Sequence, residues 1–117
     1  MKFIIIALTF SMAWAECSIH YNRTACDGLH RSGKTNAEMS YKKCKGKKEC
    51  TKTKAATSLS QCQEAAMNSC KNRRFDITKS KVITATWKGS EIKSKEGNKD
   101  FCLTYKNRAT EFNQCSQ

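Results

Sequence analysis

Hydrophobic and polar positions change their spacing along this chain. From Leu59, small or apolar side chains recur at Cys62, Ala66 and Cys70, which is one stripe of a helix. Ser58 and Gln61 stand at the spacing of a capping box, where each side chain satisfies a free backbone donor. Lys71, Arg73 and Arg74 follow, where the helix dipole favours positive charge. The pattern predicts a helix over about 58–72.

Beyond it the period falls to two. Ile83, Ala85 and Trp87 share one face, while Val82, Thr84, Thr86 and Lys88 share the other. Phe101, Leu103 and Tyr105 alternate with Cys102, Thr104 and Lys106. Turn signals at Lys88-Gly89-Ser90 and Glu96-Gly97-Asn98-Lys99 separate these runs. An antiparallel meander of about three strands is predicted, with Phe75–Ile77 as a fourth. Earlier in the chain, Cys17 to Tyr21 alternates over a short strand, and Asp27-Gly28 and Ser32-Gly33 mark turns. Thr35 and Glu38 form a second capping-box spacing, opening a short helix that Gly46 would end. Helices ahead of antiparallel strands give an α+β class: one main helix packed on an antiparallel sheet of about three or four strands. Leu59, Met67, Ile83, Trp87, Phe101 and Leu103 are the expected core.

The first residues follow neither period. Lys2 precedes an apolar run from Phe3 to Phe10, and Ala13-Trp14-Ala15 offers small residues at the two positions a signal peptidase reads. The run is too short to cross a bilayer. We expect a signal peptide at 1–15, a single secreted, extracellular domain at 16–117, no transmembrane anchor and a monomer.

All eight cysteines lie after that leader: Cys17, Cys26, Cys44, Cys50, Cys62, Cys70, Cys102 and Cys115. An even count in a small secreted chain predicts a disulfide framework, although the pairing stays open. Large apolar residues are few, so burial alone leaves a domain of this size marginal. Each disulfide adds about 2–4 kcal/mol by restricting the unfolded chain. Zinc is the competing reading, but no C-x2-C pair occurs. Neither a metal nor a cofactor is expected. Asn22-Arg23-Thr24 is a glycosylation sequon, making Asn22 an acceptor candidate.

Charge then narrows the partners. The chain carries 22 basic and 10 acidic side chains, for a formal net charge of +12. The segment "YKKCKGKKECTKTK" holds Lys42, Lys43, Lys45, Lys47, Lys48, Lys52 and Lys54. Such a field favours an anionic surface: polysaccharide, lipid or an acidic protein face. Tyr41 is the only aromatic there and arginine is absent, so nucleic acid is not favoured. The plainer reading is a solvated loop. Orientation separates the two. If the lysines meet those at 71–74 on one face they form a docking surface; if they radiate they only confer solubility.

Catalytic signals are thin. His20 and His30 could serve a ribonuclease as acid and base if the fold brought them together. His30-Arg31 beside Ser32-Gly33-Lys34 could hold phosphate, but the Gly-rich nucleotide pattern is not met. Glu64, Glu91, Glu96, Asp100 and Glu111 could supply a carboxylate pair for glycoside hydrolysis, yet no motif selects one. Trp87, at strand spacing with Ile83 and Ala85, reads as core rather than a ligand platform.

Taken together, the short leader "MKFIIIALTFSMAWA", the eight cysteines, the helix "CQEAAMNSC" and the closing "FCLTY" and "NQC" resemble the small secreted cysteine-rich proteins of fungi. These include plant-pathogen effectors and killer-toxin-like proteins. The resemblance implies a small α/β sandwich with helices on an antiparallel sheet, and it transfers no functional residue. It implies a non-enzymatic virulence effector that binds a host protein or other acidic partner, outside or inside host cells. An antimicrobial or killer-type toxin acting at microbial surfaces is the first alternative, and a secreted ribonuclease the second.

Overall fold

The computed structural model describes residues 16–112, 114 and 115; the expected leader at 1–15 lies outside them. Four antiparallel strands form one sheet in the order β2-β1-β3-β4. They are β1 (Cys17–Ala25), β2 (Glu49–Lys54), β3 (Thr78–Trp87) and β4 (Ser90–Ile92). Three helices accompany them: α1 (Asn36–Ser40), α2 (Leu59–Asn68) and α3 (Arg108–Glu111). The fold is α+β, with α2 as the main helix against the sheet.

The sheet is drawn from different segments than the sequence pattern suggests. The short strand expected at 17–21 is nine residues long and central. Cys17, Ile19, Tyr21, Arg23 and Ala25 point inward and are buried, while the residues between them are half-buried on the open face. The lysine-rich stretch supplies β2, which pairs Lys52 with Ile19 and Lys54 with Cys17. β-Branched Thr51 and Thr53 alternate with Cys50, Lys52 and Lys54, so the period of two is present but hidden, both faces being polar. Lysine on such an edge strand also discourages pairing with other chains.

Two expected strands do not form. Phe101 to Tyr105 is a series of turns. Its start lies beside β3: Phe101 N–H donates to Ile83 O at 2.9 Å. Asp100 Oδ1 then accepts both Ile83 N–H (3.3 Å) and Cys102 N–H (2.9 Å). A side chain thus fills the place of the next ladder carbonyl, and the Cys70–Cys102 disulfide draws the chain off toward α2. Phe75–Ile77 is likewise a turn: Ile77 and Thr78 N–H both reach back to Arg74 O.

The N-cap half of each capping box forms, while Gln61 Oε1 reaches past Ser58 to accept Thr57 N–H at 2.7 Å. Glu38 N–H donates to Thr35 Oγ1 at 3.0 Å, and Gln61 N–H to Ser58 Oγ at 3.2 Å. After α1 the chain tightens into a 3-10 turn, Tyr41–Cys44, and leaves through Lys45 and Gly46, both at positive φ. The β3–β4 hairpin turns on Lys88 and Gly89, with φ of 53° and 80°, as a two-residue loop of this type demands.

Ile19, Ile83, Ala85 and Phe101 form the core with Tyr21, Cys62, Ala66, Cys70 and Cys102. Ile83 and Phe101 are where the sequence places them, with Trp87 packed half-buried beside them. Met67 is also half-buried. Leu59 and Leu103 are not core residues: 44% and 59% of their surface stays exposed. Leu59 opens the first turn of α2, directly after the Ser58 cap, and Leu103 lies in the turns that replaced its strand. The four disulfides are Cys17–Cys62, Cys26–Cys115, Cys44–Cys50 and Cys70–Cys102. Two of them fasten α2 near its ends, and Cys26–Cys115 ties the C-terminal tail to the end of β1. Among the described residues, no helix is long and apolar enough to cross a membrane.

Candidate anion-binding groove

α2 runs over the sheet from Cys17, to which Cys62 is bonded, toward Tyr21, whose hydroxyl meets Ser69 Oγ at 3.0 Å. Its C-terminal end stops short of the sheet's far end. The space left is a groove of about 640 Å³.

Cations reach it from five of the segments that border it, while α1 and α2 lend only Met39, Ser40, Ala65 and Asn68. Lys42 and Lys43 come from the 3-10 turn, Lys52 and Lys54 from β2, and Lys71, Arg73 and Arg74 from the segment after α2. Arg23 of β1 and Lys81 of β3 form its floor. No Asp or Glu lines it among the described residues. The lysine cluster therefore divides. Lys42, Lys43, Lys52 and Lys54 converge with 71–74, whereas Lys45, Lys47 and Lys48 sit on the exposed loop that the Cys44–Cys50 bond closes.

Arg23 and Lys81 were not among the candidates from sequence. They are direct partners in the β1–β3 register and each is only 6% exposed. Like charges placed opposite each other on a sheet repel. The signal that could have found them is the strand period: Arg23 continues the inward series Ile19, Tyr21, and Lys81 precedes the inward pair Ile83, Ala85.

Hydrogen bonds support each charge without neutralising it. Lys81 Nζ donates to Ser69 O (3.0 Å) and Lys71 O (2.6 Å), carbonyls freed at the end of α2. Arg23 Nη1 donates to Cys44 Sγ at 3.0 Å, and its guanidinium lies 5.0 Å from the Tyr21 ring centre. Lys52 Nζ stands 5.4 Å from the same ring. Burial pushes the Lys81 ammonium down to about 8, with Arg23, Lys43 and Lys52 adding repulsion against a weaker pull from Glu111. Burial also holds Arg23 below its usual value.

Among the described residues Glu111 is the one buried carboxylate, and it is committed elsewhere. It accepts Asn72 N–H at 2.9 Å and the Tyr105 hydroxyl at 3.3 Å. Burial, then Glu111, raises the Tyr105 phenol above its ordinary value. Of the groove cations, only Arg74 has an ion-pair partner among the described residues, Asp76 at 3.4 Å.

The histidines lie apart. His20, on the open face of β1, hydrogen-bonds Thr51 Oγ1 at 2.8 Å. His30 belongs to the loop after β1, where its Nε2 pairs with Asp76 Oδ2 at 2.7 Å. Ser32 N–H donates to His30 Nδ1 at 3.1 Å, so the chain Ser32–His30–Asp76 closes a turn; the nitrogen beside Ser32 Oγ is already taken. Burial opposes the Asp76 charge, but bonds from His30 and Arg74 outweigh it and hold that carboxyl below its ordinary value.

The other carboxylates scatter. Glu91 pairs with Lys99 and Asp100 with Arg108. Glu64, paired with Lys95, and Glu96 both border a second cavity of about 300 Å³, and both are exposed. Asn22 is half-buried on the open face of β1, between Glu49 and Val82. No cluster of metal-ligating side chains occurs among the described residues.

No protein-family model matches this chain, and no match is found among curated proteins or solved structures.

Proposed function

We propose that this protein is a secreted, non-enzymatic binding protein of the effector type that docks an acidic polysaccharide in its basic groove. One observation carries the reading: cations from five separate segments converge on one groove that no Asp or Glu lines among the described residues. Chance solvation of lysines scatters them over the surface, as it does Lys45, Lys47 and Lys48. Four disulfides suit a small protein working in an oxidising, extracellular setting. Base stacking has no platform in the groove, because Tyr21 is 7% exposed and its ring is already covered by Arg23 and Lys52. A flexible acidic sugar polymer needs only the charges.

The test compares two double variants with the same change in net charge. Lys52→Glu with Arg73→Glu reverses two groove cations; Lys47→Glu with Lys48→Glu reverses two on the closed loop. Affinity for a sulfated polysaccharide is measured by calorimetry across a salt series. The groove variant should lose at least about tenfold, or about 1.4 kcal/mol, and the loop variant much less. Equal losses would reduce the attraction to bulk charge and defeat the reading. Equal or tighter binding of single-stranded RNA would replace the polysaccharide with nucleic acid.

A further inference from the structure

The floor of the groove is costlier than docking requires. A polymer could be held by flexible rim lysines alone. Yet Arg23 and Lys81 are buried, paired across the sheet, and have no carboxylate within 4 Å among the described residues. Buried cations are normally paired, because leaving water costs them solvation that hydrogen bonds only partly restore. Lys43 and Lys52 add to the repulsion at Lys81. The donors also remain unfilled. Two of the three Lys81 ammonium hydrogens go to Ser69 O and Lys71 O, and Arg23 uses Nη1 on a sulfur. Both residues line the groove, and no other nitrogen of Arg23 is sealed from solvent without a partner, so its spare donors stay accessible there.

Building on the docking reading above, we propose that the groove floor is a subsite for one tetrahedral oxyanion, the sulfate or phosphate ester group of the bound sugar, held by Arg23, Lys81, Lys43 and Lys52. The four cations come from β1, β3, the 3-10 turn and β2, and so approach from different sides. A group with three terminal oxygens can meet donors from several directions at once. A planar carboxylate presents two oxygens to one side, which suits a single guanidinium fork. The oxyanion supplies the charge that the fold leaves out. Binding therefore needs Lys81 protonated. The charged groups that bear on it are Arg23 from β1, Lys52 from β2, Lys43 from the turn and Glu111 from α3.

The disulfide-intact secreted protein is titrated at pH 7 with sodium sulfate, phosphate, acetate and chloride at matched ionic strength, reading thermal midpoint and calorimetric affinity. Because sulfate and phosphate stabilise proteins generally, the expected result is saturable calorimetric binding of these two and not of acetate or chloride, with a midpoint rise beyond that of Lys81→Met. Equal responses to all four overturn the subsite, yet leave polysaccharide docking to stand on its own test. Sulfate affinity should fall at least about tenfold between pH 7 and pH 9.5 as Lys81 loses its proton. A flat profile is a second refutation. Lys81→Met should abolish the sulfate response; if that variant does not fold, Lys43→Gln with Lys52→Gln, at exposed or half-exposed sites, should weaken it severalfold. Polysaccharides bearing only sulfate, only phosphate or only carboxylate then identify the ester. Preference for either of the first two supports the subsite, and carboxylate bound as tightly as both refutes it.

Discussion

Ile19 and Arg23 lie on the same strand and the same inward face, one turn of the pleat on either side of Tyr21, and their surroundings could hardly differ more. At Ile19 the face is closed. Ala85 stands opposite, and Cys62 and Ala66 of α2 and Phe101 join it in one core cluster, all fully buried. At Arg23 the helix has ended, Lys81 stands opposite, and cations fill the surroundings. Neighbouring positions of one sheet thus serve opposite ends. The closed end supplies stability, and the cationic end gives part of it up to a charge arrangement that no carboxylate neutralises among the described residues. Natural proteins keep such local violations where they act on something else.

The sharpest way to break the comparison is at the closed end. Phe101→Ala removes the largest fully buried side chain of a small core. It should cost about 3–5 kcal/mol, much of the stability expected of a domain this size. Urea denaturation should show the midpoint falling with little change in slope. A loss below about 1 kcal/mol would mean the disulfides hold the fold without the core, and the contrast between the two ends would collapse.

The cationic end predicts a weaker effect of unusual sign. Lys81 binds its proton less tightly in the folded chain, with its value pushed down to about 8. Between that pH and the ordinary lysine value near ~10.4 the unfolded chain holds more protons, so stability rises with pH across this window. Below about pH 8 the penalty is full. The rise, taken as the difference between the native chain and Lys81→Met to cancel other titrations, should be on the order of 3 kcal/mol from pH 7 to above 10. The same window should erase sulfate binding, giving a stability gain and a binding loss from one proton. A difference that stays constant with pH would show that the Lys81 ammonium is fully compensated and the floor is not strained.

What could be read in advance follows the same division. The closed end was largely legible: the stripe Cys62, Ala66, Cys70, the inward Ile83 and Ala85, the Ser58 cap and the Lys88-Gly89 hairpin all announce themselves by spacing. The cationic end was not, because its inward positions are polar. Period-two reasoning looks for apolar residues, and Arg23, Lys52 and Lys81 obey the period with the wrong chemistry. β2 was hidden for this reason, and with it the central place of β1. The false strand at Phe101–Tyr105 failed in the other direction: its alternation is real, but Asp100 takes the ladder donor and Cys102 is bonded to Cys70, just past the end of α2. Disulfide pairing depends on the completed topology, so no local pattern could have supplied it.

The smallest effect sharpens the comparison best, because it separates the two ends without disturbing either. Ser58 caps α2 near the closed end, accepting Gln61 N–H from the first turn. Ser58→Ala should lower stability by about 1 kcal/mol. It touches no groove residue, so sulfate affinity and its pH profile should stay unchanged. Lys52→Ala is the mirror image. Its half-exposed side chain has no ion pair among the described residues, so its removal should move stability by less than about 0.5 kcal/mol, while sulfate affinity falls severalfold. If the two variants instead shift stability and affinity together, the ends act as one cooperative unit. The groove would then owe its shape to the packing of α2 as a whole, and not to the charges left where the helix stops.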